Sequence, residues 1–174
     1  MSLDVEKINF LIKATQTPTS SSFSTLTDVV SIGFIDELND GTGADFADQI
    51  YHSSGRSLAA SANETFDLAG GITDKFGNTL TMATVKLLYI KNTSAEGTNI
   101  EVGNATSNAW NGWTSVAGSS ITVGGGGMIA LFDPTANAME ITAGTGDILK
   151  IENLDGSNSA TYDILIIGAS SLTT

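Results

Sequence analysis

The chain carries one histidine, His52, in the segment Asp48-Gln49-Ile50-Tyr51-His52, and no cysteine. Any Ser-His-Asp triad would have to run through that histidine, and none of the serines stands in a nucleophile-elbow pattern. His52 is therefore read as a strand residue facing solvent or a subunit contact. The lack of cysteine excludes disulfides, thiol catalysis and thiolate metal sites. Carboxylates are plentiful, and pairs such as Asp147 with Glu152, or Asp133 with Glu140, are of the type a glycosidase uses. No spacing puts either pair at catalytic separation, and acids in an acidic chain read first as solvated surface. Gly124-Gly125-Gly126-Gly127 is not followed by Lys-Ser or Lys-Thr, so it is no phosphate loop, and a turn needing positive φ explains it better. Asp40-Gly41-Thr42-Gly43-Ala44-Asp45, with Asp48 beyond, holds calcium-type ligands, but in a single copy and without EF-hand spacing. A polar turn is the preferred reading. No catalytic residue, cofactor or metal site is assigned, and the chain is read as not an enzyme.

The other residues with recognition chemistry are the tryptophans of Asn108-Ala109-Trp110-Asn111-Gly112-Trp113. Tryptophans on a loop can stack on a sugar ring, anchor a protein interface or plug the end of a sandwich. The core plug is favoured over the interface, and the interface over a glycan. Asn63-Glu64-Thr65, Asn92-Thr93-Ser94 and Asn104-Ala105-Thr106 match the glycosylation sequon. They are read as coincidence in a chain where Ser and Thr fill 41 of 174 positions.

The elements that must position these residues are strands. Nineteen glycines against two prolines predict many tight turns. Seven Glu and seven Lys plus Arg would make poor solvated helix faces. From Asp28 onward, short apolar segments alternate with turn residues. Strands are expected at Asp28–Ile35, Gln49–Ala60, Glu64–Leu68, Val85–Lys91, Thr98–Val102 and Ser120–Val123, then at Gly127–Phe132, Ala138–Thr142, Asp147–Glu152 and Ala160–Ile167. In Val85–Lys91, Lys86, Leu88 and Ile90 fall on one face, and Val85, Leu87, Tyr89 and Lys91 on the other. Such a series, with long connections such as Gly103–Gly118 taken as crossovers, predicts an all-β fold, an antiparallel β-sandwich of jelly-roll type. Ahead of it, Asp4–Ala14 allows a turn or two of amphipathic helix or, almost equally, a strand. Thr15–Thr27 is Ser/Thr-rich. Residues 1–27 are thus expected as an N-terminal arm packing on neighbouring subunits, and 28–174 as the sandwich domain.

The formal charge is −12, with one arginine, Arg56, and six scattered lysines. Binding to phosphate backbones or an anionic membrane needs clustered cations, so neither nucleic acid nor membrane is an expected partner. No apolar run reaches transmembrane length and the first residues lack a signal-peptide layout, so synthesis in a cytoplasm is expected.

Several segments are shared in pattern with known proteins. They are Asp40–Asp45, Ala47–His52, Leu58–Ala62, Phe66–Asp74, Phe76–Thr81, Val85-Lys86, Thr142–Asp147 and Ala160–Ile164. On these, the stretch from Asp40 to Ala169 resembles a family of small structural proteins of tailed bacteriophages, of capsid decoration or cement type. The resemblance implies a virion component on the outer capsid surface, made in the host cytoplasm. Its partners would be further copies of itself, as a homotrimer, and the major capsid or other virion proteins. A head or tail spike or fibre component, or a carbohydrate-binding module with a glycan partner, are the alternatives. The residues expected at the interface are Ile8, Phe10, Leu11 and Phe23 of the arm, then Trp110 and Trp113.

Overall fold

The computed structural model describes residues 3, 5–16 and 28–172. Phe23 and the rest of the Ser/Thr-rich stretch from residue 17 lie outside them. The fold is all-β. Two long strands come first, β1 (Val5–Gln16) and β2 (Asp28–Asp40), followed by the short β3 (Phe46–Ala47). Eight sandwich strands then follow, interrupted by a small hairpin. They are β4 (Gln49–Leu58), β5 (Asn63–Asp67), β8 (Thr84–Asn92), β9 (Ile100–Gly103), β10 (Ser120–Val123), β11 (Met128–Phe132), β12 (Ile148–Asn153) and β13 (Ala160–Ala169). The hairpin is β6 (Ile72–Thr73) with β7 (Thr79–Leu80), turned by Asp74, whose carboxylate accepts from the Phe76 and Asn78 amides.

One four-stranded sheet runs β11-β8-β13-β4 and the other β10-β9-β12-β5, with antiparallel pairing throughout. Counting the eight strands along the chain, the orders are sixth-third-eighth-first and fifth-fourth-seventh-second. The chain changes sheet at every connection except β9 to β10. The long segment after Gly103, expected as a crossover, therefore joins two neighbours of one sheet, and the crossovers fall in the other links. Alternation drives the packing. Phe66, Leu88, Ile90, Ile100, Val102, Leu149, Ile151, Tyr162 and Ile164 project from both sheets into one shared core.

The expected strand at Ala138–Thr142 is reduced to isolated bridges, Thr84 with Glu140 and Thr142 with Gly146. The tight turn between Thr142 and Gly146, with Gly144 at φ +75°, leaves it too short to extend. Of the segment Asp4–Ala14, the described residues from Val5 on are strand, not helix. Its apolar residues gain a ladder from β2, running from Ile8 opposite Asp36 to Gln16 opposite Asp28. The division expected at residue 27 thus falls between two strands that pair with each other.

Candidate interaction surface

β1 and β2 form a ribbon of which only the base rests on the body. Leu38 and Ala47 are fully buried there with Ile167, and Val5, Ile8, Ile50, Leu87, Phe132 and Leu165 pack around them. This covers part of the outer face of the β11-β8-β13-β4 sheet. A strand rises about 3.3 Å per residue, so twelve residues of β1 reach about 40 Å, well past the four strands beneath.

Directly opposed residues share a face. One ribbon face carries Ile8, Phe10, Ile12 and Ala14 from β1, with Val30, Ile32 and Phe34 from β2. Its near half is seated: Phe10 stacks on Phe34 at 6.2 Å, and Phe34 stacks on Phe132 of the sheet at 5.5 Å. Its far half is open, with Ile32 65% and Ile12 51% exposed. The opposite face is mixed, Leu11, Val29 and Ile35 alternating with Asn9, Lys13, Ser31 and Thr15, and Leu11 is 53% exposed. Among the described residues, both ribbon edges are unpaired over most of their length, since β3 meets β2 only at Asn39 and Asp40.

Between ribbon and sheet lies a groove of about 720 Å³, lined by Ile8, Phe10, Phe34, Tyr89, Ala130 and Leu165 among others. The strand registers align Ala130, Tyr89, Leu165 and His52 in one row across the outer sheet face. That row continues the apolar surface beyond the part the ribbon base covers. His52 is exposed at its end, opposite Leu165.

The tryptophans separate in role. Trp110 is 2% exposed, and its indole N–H donates to the Glu140 carbonyl at 2.8 Å, so it plugs the core. Trp113 lies parallel to it at 6.3 Å, partly buried, and lines an open cleft of about 840 Å³ with Asn111, Asn137 and Glu140. Of the interface residues named from sequence, Ile8, Phe10 and Leu11 are brought together on the ribbon, and Trp113 stands apart from them. Sequence reasoning missed Val30, Ile32 and Phe34 on β2 and Tyr89 on the sheet. The signal was present: Val29–Ile35 is apolar at nearly every position, with nothing to mark a solvent face.

The acidic turn is engaged in structural bonds. Asp40 accepts from the Leu3 amide, and Asp48 accepts from the amide and hydroxyl of Ser170. No three metal-ligating side chains converge among the described residues. Asn92 is fully buried, its amide donating to the Thr98 and Val123 carbonyls, which leaves it inaccessible as a sequon.

One polar cluster joins the sheets at their β4–β5 edge. Arg56 forms a bidentate ion pair with Glu64, lies over the Phe66 ring at 5.2 Å and donates to the Tyr51 hydroxyl, while the Tyr162 hydroxyl donates to Glu64. Burial pushes the Glu64 pKa up, but the bonds from Arg56 and Tyr162 outweigh it and hold the carboxyl below its ordinary 4.5. Burial first, then Glu64, raises that of Tyr162. Comparison with protein-family models, with curated proteins and with solved structures found no match.

Proposed function

We propose that this chain is a structural subunit that works by assembly, namely a capsid decoration or cement protein of a tailed bacteriophage built on a jelly-roll. The observation that carries the assembly reading is the ribbon. Eight of its large apolar residues, from Phe10 to Ile35, are 38–69% exposed, where a soluble monomer hides such surface. A two-stranded ribbon alone is marginal in water, so its length makes sense as a contact element. Two four-stranded sheets pairing first with eighth, third with sixth, second with seventh and fourth with fifth support the jelly-roll reading, a fold common in viral shells. The particle assignment rests on the segments resembling phage structural proteins. A charge of −12 suits the outside of a shell, away from packaged DNA. Cementing would proceed by burying the ribbon's apolar surface between subunits, stabilising the shell against internal pressure.

Cryo-electron microscopy of purified particles tests this. Density for the sandwich on the outer capsid at lattice positions, with the ribbon on a neighbouring subunit, is the expected result. Location at a tail or fibre tip, or absence from particles, would overturn it. A second reading is favoured by one observation, the Trp113 cleft with its amide and carboxylate groups: glycan binding. Glycan-array binding abolished by Trp113→Ala, in a folded protein, would favour that reading.

A further inference from the structure

We propose that the far half of the ribbon seats on the outer sheet face of a second copy of this chain, against the row of Ala130, Tyr89 and Leu165. This names the partner of the ribbon and so rests on the assembly reading above, though not on the phage assignment. The packing mode is visible within one molecule. The near half of the same ribbon face already lies on the same sheet, Phe34 on Phe132. The next row of that sheet, Ala130-Tyr89-Leu165, lines the groove with Ala130 exposed and Tyr89 and Leu165 partly so, and the next residues of that ribbon face, Ile12, Ala14, Val30 and Ile32, are exposed. Donor and acceptor surfaces are thus continuous with one contact and lie on the same chain, and a second copy supplies both at matched stoichiometry.

Charge points the same way. Between Ile8 and Gln16, and between Asp28 and Ile35, the only charges are Lys13 and Asp28, so the ribbon's outer part is neutral on a −12 chain. A neutral apolar surface can approach another copy's acidic body without the repulsion that two bodies meet. The far half of that face presents Ile12, Val30 and Ile32, 38–65% exposed, and reciprocal exchange between two copies doubles the apolar area buried, towards the roughly 800 Å² per partner of a standard interface. Exchange can close reciprocally between two copies or pass around a ring.

The test uses the purified full chain. Sedimentation should show a discrete oligomer that dissociates on dilution. Ile32→Glu and Ala130→Asp alter exposed positions on the two proposed surfaces, and each should weaken association at least ~100-fold with an unchanged circular dichroism spectrum. Since the chain has no cysteine, Ile32→Cys and Ala130→Cys variants can be mixed and oxidised. A heterodisulfide joining the two variants is expected. A wild type that stays monomeric at all concentrations overturns the proposal, as does an oligomer indifferent to both charge variants and giving no cross-link. The two readings fail separately. A monomer found on particles would sink the self-docking proposal and leave the ribbon to a shell protein. An oligomer built this way but absent from particles would sink the virion assignment alone.

Discussion

Arg56 and Glu64 show what single side chains contribute. The pair is mostly covered, and Tyr162 completes it from β13, so the cluster ties β4, β5 and β13 at one edge of the sandwich. Glu64→Gln keeps the volume and removes the charge. It should cost about 1–2 kcal/mol of unfolding free energy at pH 7, read by urea titration. The folded carboxyl titrates below its ordinary 4.5, so its contribution is present above that value and lost as pH falls through the folded pKa. The stability gap between wild type and Glu64→Gln should therefore shrink towards pH 3. A gap that is constant with pH would mean packing, not charge, is what the variant disturbs. Gly125 shows a different dependence: a Cβ there would stand 1.9 Å from the Ala95 carbonyl oxygen. Gly125→Ala must shift backbone, and thermal denaturation should show a loss of about 1–3 kcal/mol.

At the scale of elements, the ribbon and the sandwich differ in what holds them. The central sandwich strands β8, β13, β9 and β12 are fixed by ladders on both sides and a shared core, whereas the far ribbon has one ladder and no core. Local opening free energy follows that difference. In dilute monomer, amides of Ile12–Gln16 and Val29–Ile32 should exchange hydrogen within seconds to minutes, while those of β8 and β13 resist to the global limit. On association the ribbon amides should become protected. Equal protection at all dilutions would show that the ribbon is stable without a partner. A buried lysine sits among these elements too: Lys86 points into the molecule, its ammonium bonded to the Thr135 and Ala136 carbonyls. Burial lowers its pKa, with Asp133 and Asp45 opposing. It pins the loop after β11 to β8.

For the whole molecule, the governing quantity is a net charge of −12 spread over the body. Copies that associate through apolar surface must still bring those bodies together, so repulsion sets a long-range cost screened by salt. Raising ionic strength from about 0.05 to 0.5 M should tighten self-association several-fold, measured by sedimentation equilibrium, since the Debye length falls from roughly 14 Å to 4 Å. Weakening by salt would instead mean that ion pairs, with Lys13 foremost, dominate the contact.

Local pattern carried a good part of this protein. Alternation and turn residues placed most of the sandwich strands to within a residue or two, because a half-buried strand writes its burial into every second side chain. Composition and charge shaped the expected partners by the same directness, since counterion release needs cations the chain lacks. The tertiary structure alone decided the rest. Which face of Val85–Lys91 is core could not be read, because Lys86 shares the inward face with Leu88 and Ile90 and is paid for by carbonyls some fifty residues away. The role of Trp110 depended on Glu140, and the partner of β1 depended on β2, contacts that no local spacing encodes. The ribbon emerged only when both strands were seen together: each alone is an ordinary apolar strand, and only their pairing beyond the edge of the body leaves a face with nothing to bury it.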